Sequence, residues 1–289
     1  MKTKLFLLIF AFPFLFLAQQ KQPQIGLVLS GGGAKGFAHI GILKEIDKAG
    51  IQLDYIGGTS MGAIVGALYA VGYSGIEIEQ IIKSTDFENV LRDKLPRSAA
   101  PFFEKEYAEN TKITLPVTKG KVGLPKGISR GQSVLNLLFE LLDSTEDITD
   151  FSKLPIPFFC VATDVETGGE VLLEKGVLPI ALRASGSFPT LLNPVTIDNK
   201  LLVDGGIANN FPVTVMKSKG MDIVIGVDVE GRLFDKEKLT SAIAILNQIV
   251  SYQMYHKSEE EKAKLDVYIH PDIYGYSVVD FDKKDEILE

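Results

Sequence analysis

Ser60 stands in Gly58-Thr59-Ser60-Met61-Gly62, a G-x-S-x-G segment between a short apolar run and an apolar helical pattern. At a sharp strand-to-helix turn of this kind a serine hydroxyl projects from the carboxyl edge of a sheet, where it can attack an acyl carbon. Gly58 and Gly62 remove side chains that would collide with neighbouring backbone or approaching substrate, and the N-terminus of the helix favours developing negative charge. A second segment, Gly31-Gly32-Gly33-Ala34-Lys35-Gly36, directly follows an earlier apolar run. Three consecutive glycines let backbone N–H groups point into one shared space, which is what holding a tetrahedral oxyanion requires. The same letters satisfy G-x-G-x-x-G, so dinucleotide binding is the rival reading, with Asp54 near the distance expected for a ribose contact. Asp54, however, opens its strand where a ribose acid should close it, and the rival leaves Ser60 unexplained. Lys35 has two readings, one in which it holds an anionic head group and one in which it sits in solvent.

The serine needs a base. Asp204 ends the apolar run Leu201-Leu202-Val203 and is followed by Gly205-Gly206, which delivers a carboxylate at a strand end with room for a substrate. An ordinary Asp-Gly turn is the bland alternative. Asp164 also ends a strand and competes for the role. A free aspartate is a feeble base near neutrality, so apolar neighbours such as Val203 are expected to raise its pKa by desolvation. Of the three histidines, His39 shares an apolar helical face with Ile42, Leu43 and Ile46 and reads as structural. His256 and His270 follow the acids in the Ser, Asp, His order of α/β-hydrolases, yet neither has a local signature. The small-residue segment Ala184-Ser185-Gly186-Ser187-Phe188-Pro189 has no independent chemical meaning at this level.

The elements that must position these residues are legible in outline. Ile25 to Ser30 is a short continuous aliphatic stretch, the pattern of a strand buried on both faces of a parallel sheet. From Gly36 the spacing turns helical and Gly50 is placed to end that helix. Asp54 to Gly57 reads as a second strand and Met61 to Val71 as a second helix, so two βα units follow in succession. Further strands are expected at Phe158 to Ala162, Val195 to Ile197, Leu201 to Val203, Ile223 to Val227 and Val267 to Ile269, with a helix from about Thr240 to Tyr255. Between about Thr85 and Arg130 the pattern dissolves into charges, prolines and scattered aromatics, and periodicity returns at Val134, Leu137, Leu138 and Leu141. Such a stretch is read as an access-controlling lid segment or as a plain surface excursion.

The chain has 289 residues, 46% hydrophobic and 23% charged, which excludes a disordered or collagenous chain. A net charge of -7 lacks the basic excess that counterion release from nucleic acid requires. The single cysteine, Cys160, lies in an apolar run and reads as a small buried hydrophobe. Lys2 and Lys4, the apolar run Leu5 to Leu17 and the polar residues after Ala18 form a signal-peptide pattern over residues 1–18, with an uncleaved anchor as the alternative. Residues 19–289 then form the mature domain, expected to be periplasmic, outer-membrane associated or secreted. The acids Asp280, Asp282, Asp285 and Glu286 lack an EF-hand spacing and read as a solvated face.

Together these segments resemble the patatin-like phospholipase family over about Ile25 to Ile269. The resemblance rests on four motifs in order: Gly31 to Gly36, Gly58 to Gly62, Ala184 to Pro189, and Asp204-Gly205-Gly206. It implies a three-layer α/β/α sandwich around a mostly parallel sheet, and hydrolysis of lipid acyl esters by a Ser-Asp dyad without histidine, metal or cofactor. By that resemblance Ser60 is the nucleophile, Asp204 the base, and the N–H groups of Gly31, Gly32 and Gly33 the oxyanion hole. Lys35, Gly36, Gly205 and Gly206 support them. A lipid or membrane-surface substrate follows, with an additional carboxyl-terminal membrane domain if the chain is a fragment. The alternative is a non-catalytic lipid- or dinucleotide-binding module.

Overall fold

The computed structural model describes residues 22–93, 117–118, 121–122, 127–231, 233, 235–240 and 242–289. The signal-peptide pattern and most of the irregular stretch before Arg130 lie outside the described residues. The chain opens with strand β1 (Ile25–Leu29), helix α1 (Ala38–Ala49), strand β2 (Tyr55–Thr59) and helices α2 (Ser60–Ala70) and α3 (Gly75–Ser84). After α4 (Gln132–Leu141) come β3 (Phe158–Asp164), β4 (Glu170–Leu173), α5 (Leu178–Ser185), β5 (Val195–Ile197) and β6 (Lys200–Asp204). The last part comprises α6 (Val213–Ser218), β7 (Ile223–Val227), α7 (Ala242–Lys262) and β8 (Val267–Ile269).

One sheet runs through the molecule in the order β8-β7-β1-β2-β3-β6-β5, with β4 also paired to β3. The five strands from β8 to β3 are mutually parallel, whereas β6, β5 and β4 pair antiparallel. Successive side chains of a strand face opposite ways, and both faces of this sheet are apolar. Leu27, Leu29, Ile56, Phe158 and Cys160 pack beneath α1, α2 and α5. Val28, Phe159, Val161 and Val224 pack against Phe211, Val213 and Met216 on the other side. The result is the expected three-layer α/β/α sandwich. Cys160 is fully buried and its thiol pKa is pushed up by burial, consistent with an inert packing residue.

Local chemistry accounts for the boundaries. Gly50 takes the left-handed conformation that closes α1. Ser74 and Glu77 form a reciprocal capping box at the start of α3. Pro179 sits in the first turn of α5, where its missing N–H costs nothing. Helix α7 continues past Tyr255 through a charged stretch because that stretch is anchored inward. Glu261 accepts from the Thr214 N–H and hydroxyl at 2.6 and 2.8 Å, and Lys262 pairs with buried Asp228 at 2.8 Å. At the far end of the chain, Phe281 packs with Phe37 and Phe87, and Ile287 and Leu288 are buried. The tail is therefore docked on the molecule, and Asp280 caps the Ser277 N–H and pairs with Lys283.

Candidate active site

No residue separates β2 from α2, so the chain turns sharply at Ser60, whose φ of 53° lies in the left-handed region that a residue with a β-carbon rarely adopts. Such a conformation costs about 1–3 kcal/mol and persists only where the surroundings enforce it. The enforcement is visible. The Ser60 N–H donates to the Ser185 hydroxyl at 2.9 Å, and that hydroxyl donates to the Val161 carbonyl at 2.6 Å. Two residues later the helix runs so close to β1 that a β-carbon on Gly62 would collide with the Leu29 and Ser30 carbonyl oxygens. The glycines of the elbow thus make room for backbone.

Asp204 comes from the other side of β3. In the sheet Thr59 is level with Val161, and Asp204 with Ala162, so the two residues end up at one height with a strand between them. The chain closes that gap by crossing tightly over β3. A β-carbon on Gly205 would collide with the Val161 carbonyl oxygen. The Ser60 hydroxyl donates to Asp204 Oδ2 at 2.6 Å, and the Gly206 N–H donates to Oδ1 at 2.8 Å. Asp204 is 4% exposed, and burial raises its pKa to about 6, against the opposing pull of those two hydrogen bonds. The expected desolvation is present, though Val203, one residue earlier, projects from the opposite face of its strand.

Asp164 lies two places further along β3 from the position level with Asp204, and its Oδ1 accepts the Glu166 N–H at 3.0 Å within a turn. No histidine bonds the Ser60 hydroxyl. His39 is fully buried, donates through Nε2 to the Ser30 carbonyl at 2.9 Å, and is held by burial at a pKa of about 4. His256 is exposed on α7, and His270 donates through Nδ1 to the Asp228 carbonyl at 2.7 Å.

The glycine loop corrects two expectations. The Gly31 N–H is engaged by the Asn210 carbonyl at 3.2 Å, while the Asn210 side-chain amide returns a bond to the Gly31 carbonyl at 3.1 Å. Gly31 is therefore not available as an oxyanion donor. Gly32 and Gly33 line the cavity beside Ser60, and their N–H groups bond no described residue. Lys35 is not in solvent either. It is 5% exposed, lines the same cavity, and burial lowers its pKa while Glu230 and Asp228 oppose that shift. Gly36 abuts Met61, the residue after the nucleophile candidate.

These groups open on one cavity of about 720 Å³. On one side it is apolar, with Ile64, Leu68, Leu138, Leu182 and Leu192; on the other are Lys35, Glu230, Lys262, Tyr268 and His270. A serine hydroxyl bonded to a buried carboxylate, two N–H donors that bond no described residue and an apolar chamber suit acyl transfer from a substrate with a long hydrocarbon part. The dinucleotide reading does not assemble. Asp54 bonds the Ile25 N–H at 2.7 Å at the amino end of β1, away from the carboxyl edge where nucleotides bind in such sheets.

Sequence reasoning singled out Ala184 to Pro189 but gave it no chemistry of its own, and it passed over Arg183; the segment from Arg183 to Ser187 holds the site together. Besides holding Ser60 through Ser185, it accepts the Gly205 N–H at the Ser185 carbonyl (3.2 Å) and the Asp204 N–H at the Ser187 carbonyl (3.0 Å). The buried Arg183 guanidinium binds Ser187 and the carbonyls of Arg130, Gly131 and Asn193. The available signal was an arginine among small residues, a cation with no evident partner nearby in the chain.

The family model for patatin-like phospholipase matches residues 27–217. The lysophospholipase NTE1 of Kluyveromyces lactis is 32% identical over 305 residues, covering 96% of this chain and 19% of that protein. An uncharacterised NTE family protein of Mycobacterium tuberculosis is 30% identical over 209 residues, covering 72% of this chain and 50% of that protein. The chain thus spans about a fifth of the yeast relative and half of the mycobacterial one. Among solved structures, VipD from Legionella pneumophila aligns with a TM-score of 0.48 at 16% identity, covering 92% of this chain and 67% of that one.

Proposed function

The chain belongs to the patatin-like phospholipase family, and from that premise we propose that it is a serine lipid acyl hydrolase acting through a Ser60–Asp204 dyad. The observation that carries this reading is the 2.6 Å hydrogen bond from a strained serine to a buried carboxylate with a raised pKa. Asp204 takes the Ser60 proton as Oγ attacks the ester carbonyl carbon. The carbonyl oxygen becomes an oxyanion beside the Gly32 and Gly33 N–H groups and the N-terminus of α2. Collapse breaks the ester C–O bond, and the departing alkoxide takes the proton back from Asp204, leaving an acyl-serine. Water then attacks with Asp204 again as base, releasing a fatty acid and restoring the serine.

Phospholipids and lysophospholipids fit the cavity, whose apolar side suits an acyl chain and whose Lys35 end suits a phosphate. Export by residues 1–18 is part of the reading, and the lipid substrate is met at a membrane surface. The test is release of fatty acid by the chain lacking residues 1–18, from phosphatidylcholine, lysophosphatidylcholine and triglyceride. Release from the phosphate-bearing lipids that disappears in Ser60→Ala is the expected result. Saturable dinucleotide binding that is indifferent to Ser60 replacement would overturn the reading.

A further inference from the structure

The cavity that reaches Ser60 is flanked by two apolar ridges that face solvent. One is an edge of α7. Ile245, Ile249 and Tyr252 are spaced four and three residues apart, share one helical face, and are 46%, 55% and 45% exposed. Gln248, Ser251 and Tyr255, on the adjacent stripe of the same helix, line the cavity. The other ridge is Val278–Val279 in the loop after β8, 39% and 59% exposed, and both residues line the cavity themselves. The ridge also touches the chemistry. The Val278 carbonyl accepts the Ala34 N–H at 2.9 Å and occupies the space that a β-carbon on Gly33 would need. The loop carrying the candidate oxyanion donors therefore rests directly on this ridge.

Clustered exposed aliphatic side chains mark an interaction surface, and their continuity with the cavity selects its partner. A second copy of the chain, or a protein partner, seated on both ridges would cover the opening through which substrate must pass. A lipid layer seated there would feed it. The geometry points to these two ridges as the surface that docks on a lipid–water interface, with Ile245, Ile249, Tyr252 and Val279 entering the layer. The inference rests on the hydrolase reading for its purpose, and its test separates the two.

The full chain and its Ile245→Asp/Ile249→Asp double variant are compared on a soluble ester, p-nitrophenyl butyrate, and on phosphatidylcholine vesicles, with co-sedimentation alongside. Both residues lie outside the cavity lining, and Ile51→Asp, at the opposite edge of the sheet, serves as the control. The double variant is expected to keep soluble-ester turnover within about twofold and to lose about tenfold or more of vesicle binding and vesicle hydrolysis, since each isoleucine withdraws its apolar area from the layer. Ile51→Asp should change neither. Unchanged vesicle binding would overturn the inference, as would equal loss on both substrates or a dimer in solution that the double variant dissociates while vesicle binding persists. If the wild type cleaves neither substrate, the hydrolase reading fails, and co-sedimentation alone still decides the docking surface.

Discussion

Burial holds the Asp204 carboxyl near a pKa of about 6, whereas the ordinary value for the residue is 3.8, so between those two pH values the native chain keeps a proton that the unfolded chain has released. The native state is thus favoured below about pH 4. It loses that advantage as the pH rises through about 6, by on the order of 3 kcal/mol. Asp204→Asn removes the penalty along with the base. Urea titrations should show the variant more stable than wild type at pH 8 and nearly equal to it at pH 4; a gap independent of pH would mean that Asp204 is not desolvated. Ser185 is coupled to the same chemistry from the other side. Ser185→Ala leaves the Ser60 N–H without its acceptor and frees the strained φ, a loss of about 1–3 kcal/mol. Turnover should fall about tenfold to a hundredfold with KM within about twofold. The acid limb of the rate profile should also move to higher pH, because the Ser60 hydroxyl bond is one of the contacts that lowers the Asp204 pKa. A fall in stability with an unmoved pH limb would reduce Ser185 to packing.

At the scale of elements, close backbone approach does what side-chain packing does elsewhere. The helix α2 touches β1 through Gly62, where an added methyl meets two carbonyl oxygens belonging to rigid strand ends. Gly62→Ala should therefore destabilise by about 3 kcal/mol or more and abolish activity. Gly41, within α1, has open space where a β-carbon would stand, with nothing within 4 Å, and Gly41→Ala should raise stability by up to about 1 kcal/mol through helix propensity. Thermal melts of the pair check both signs. The elements that carry Ser60 and Asp204 are legible in the sequence because their signals are local: Leu201-Leu202-Val203 is continuously aliphatic up to Asp204, and the elbow glycines bracket the serine. Helix α3 is left out of the sequence reading although its signals are local: Ile78, Ile81 and Ile82 fall at helical spacing, and Ser74 and Glu77 announce its start. Helix α5 is hidden by Pro179 and by the small residues that follow, and the extension of α7 depends on Glu261 and Lys262 finding partners distant in sequence. Likewise, no local pattern could reveal that Gly31 is engaged by Asn210, 179 residues away.

At the scale of the molecule, the sheet brings the carboxyl ends of β1 and β2 and the end of antiparallel β6 to one edge, and the helices on one face leave a chamber above it. The size and lining of that chamber, rather than the dyad, should set acyl-chain preference. Val134 of α4 lines it and is half-buried. Val134→Trp should lower turnover of sixteen-carbon esters about tenfold while leaving four-carbon esters little changed, as expected when a pocket loses room for methylene groups. Equal effects on both chain lengths would place the acyl chain elsewhere.

The claim on which the rest depends is that Asp204 activates Ser60, and the direct measurement is the rate of covalent labelling by a fluorophosphonate as a function of pH. The account predicts labelling that is absent in Ser60→Ala, rises through a midpoint near pH 6 to a plateau in the wild type, as the value of about 6 for Asp204 requires, and becomes slow in Asp204→Asn. Full-rate labelling of Asp204→Asn, or attachment at a residue other than Ser60, would contradict it.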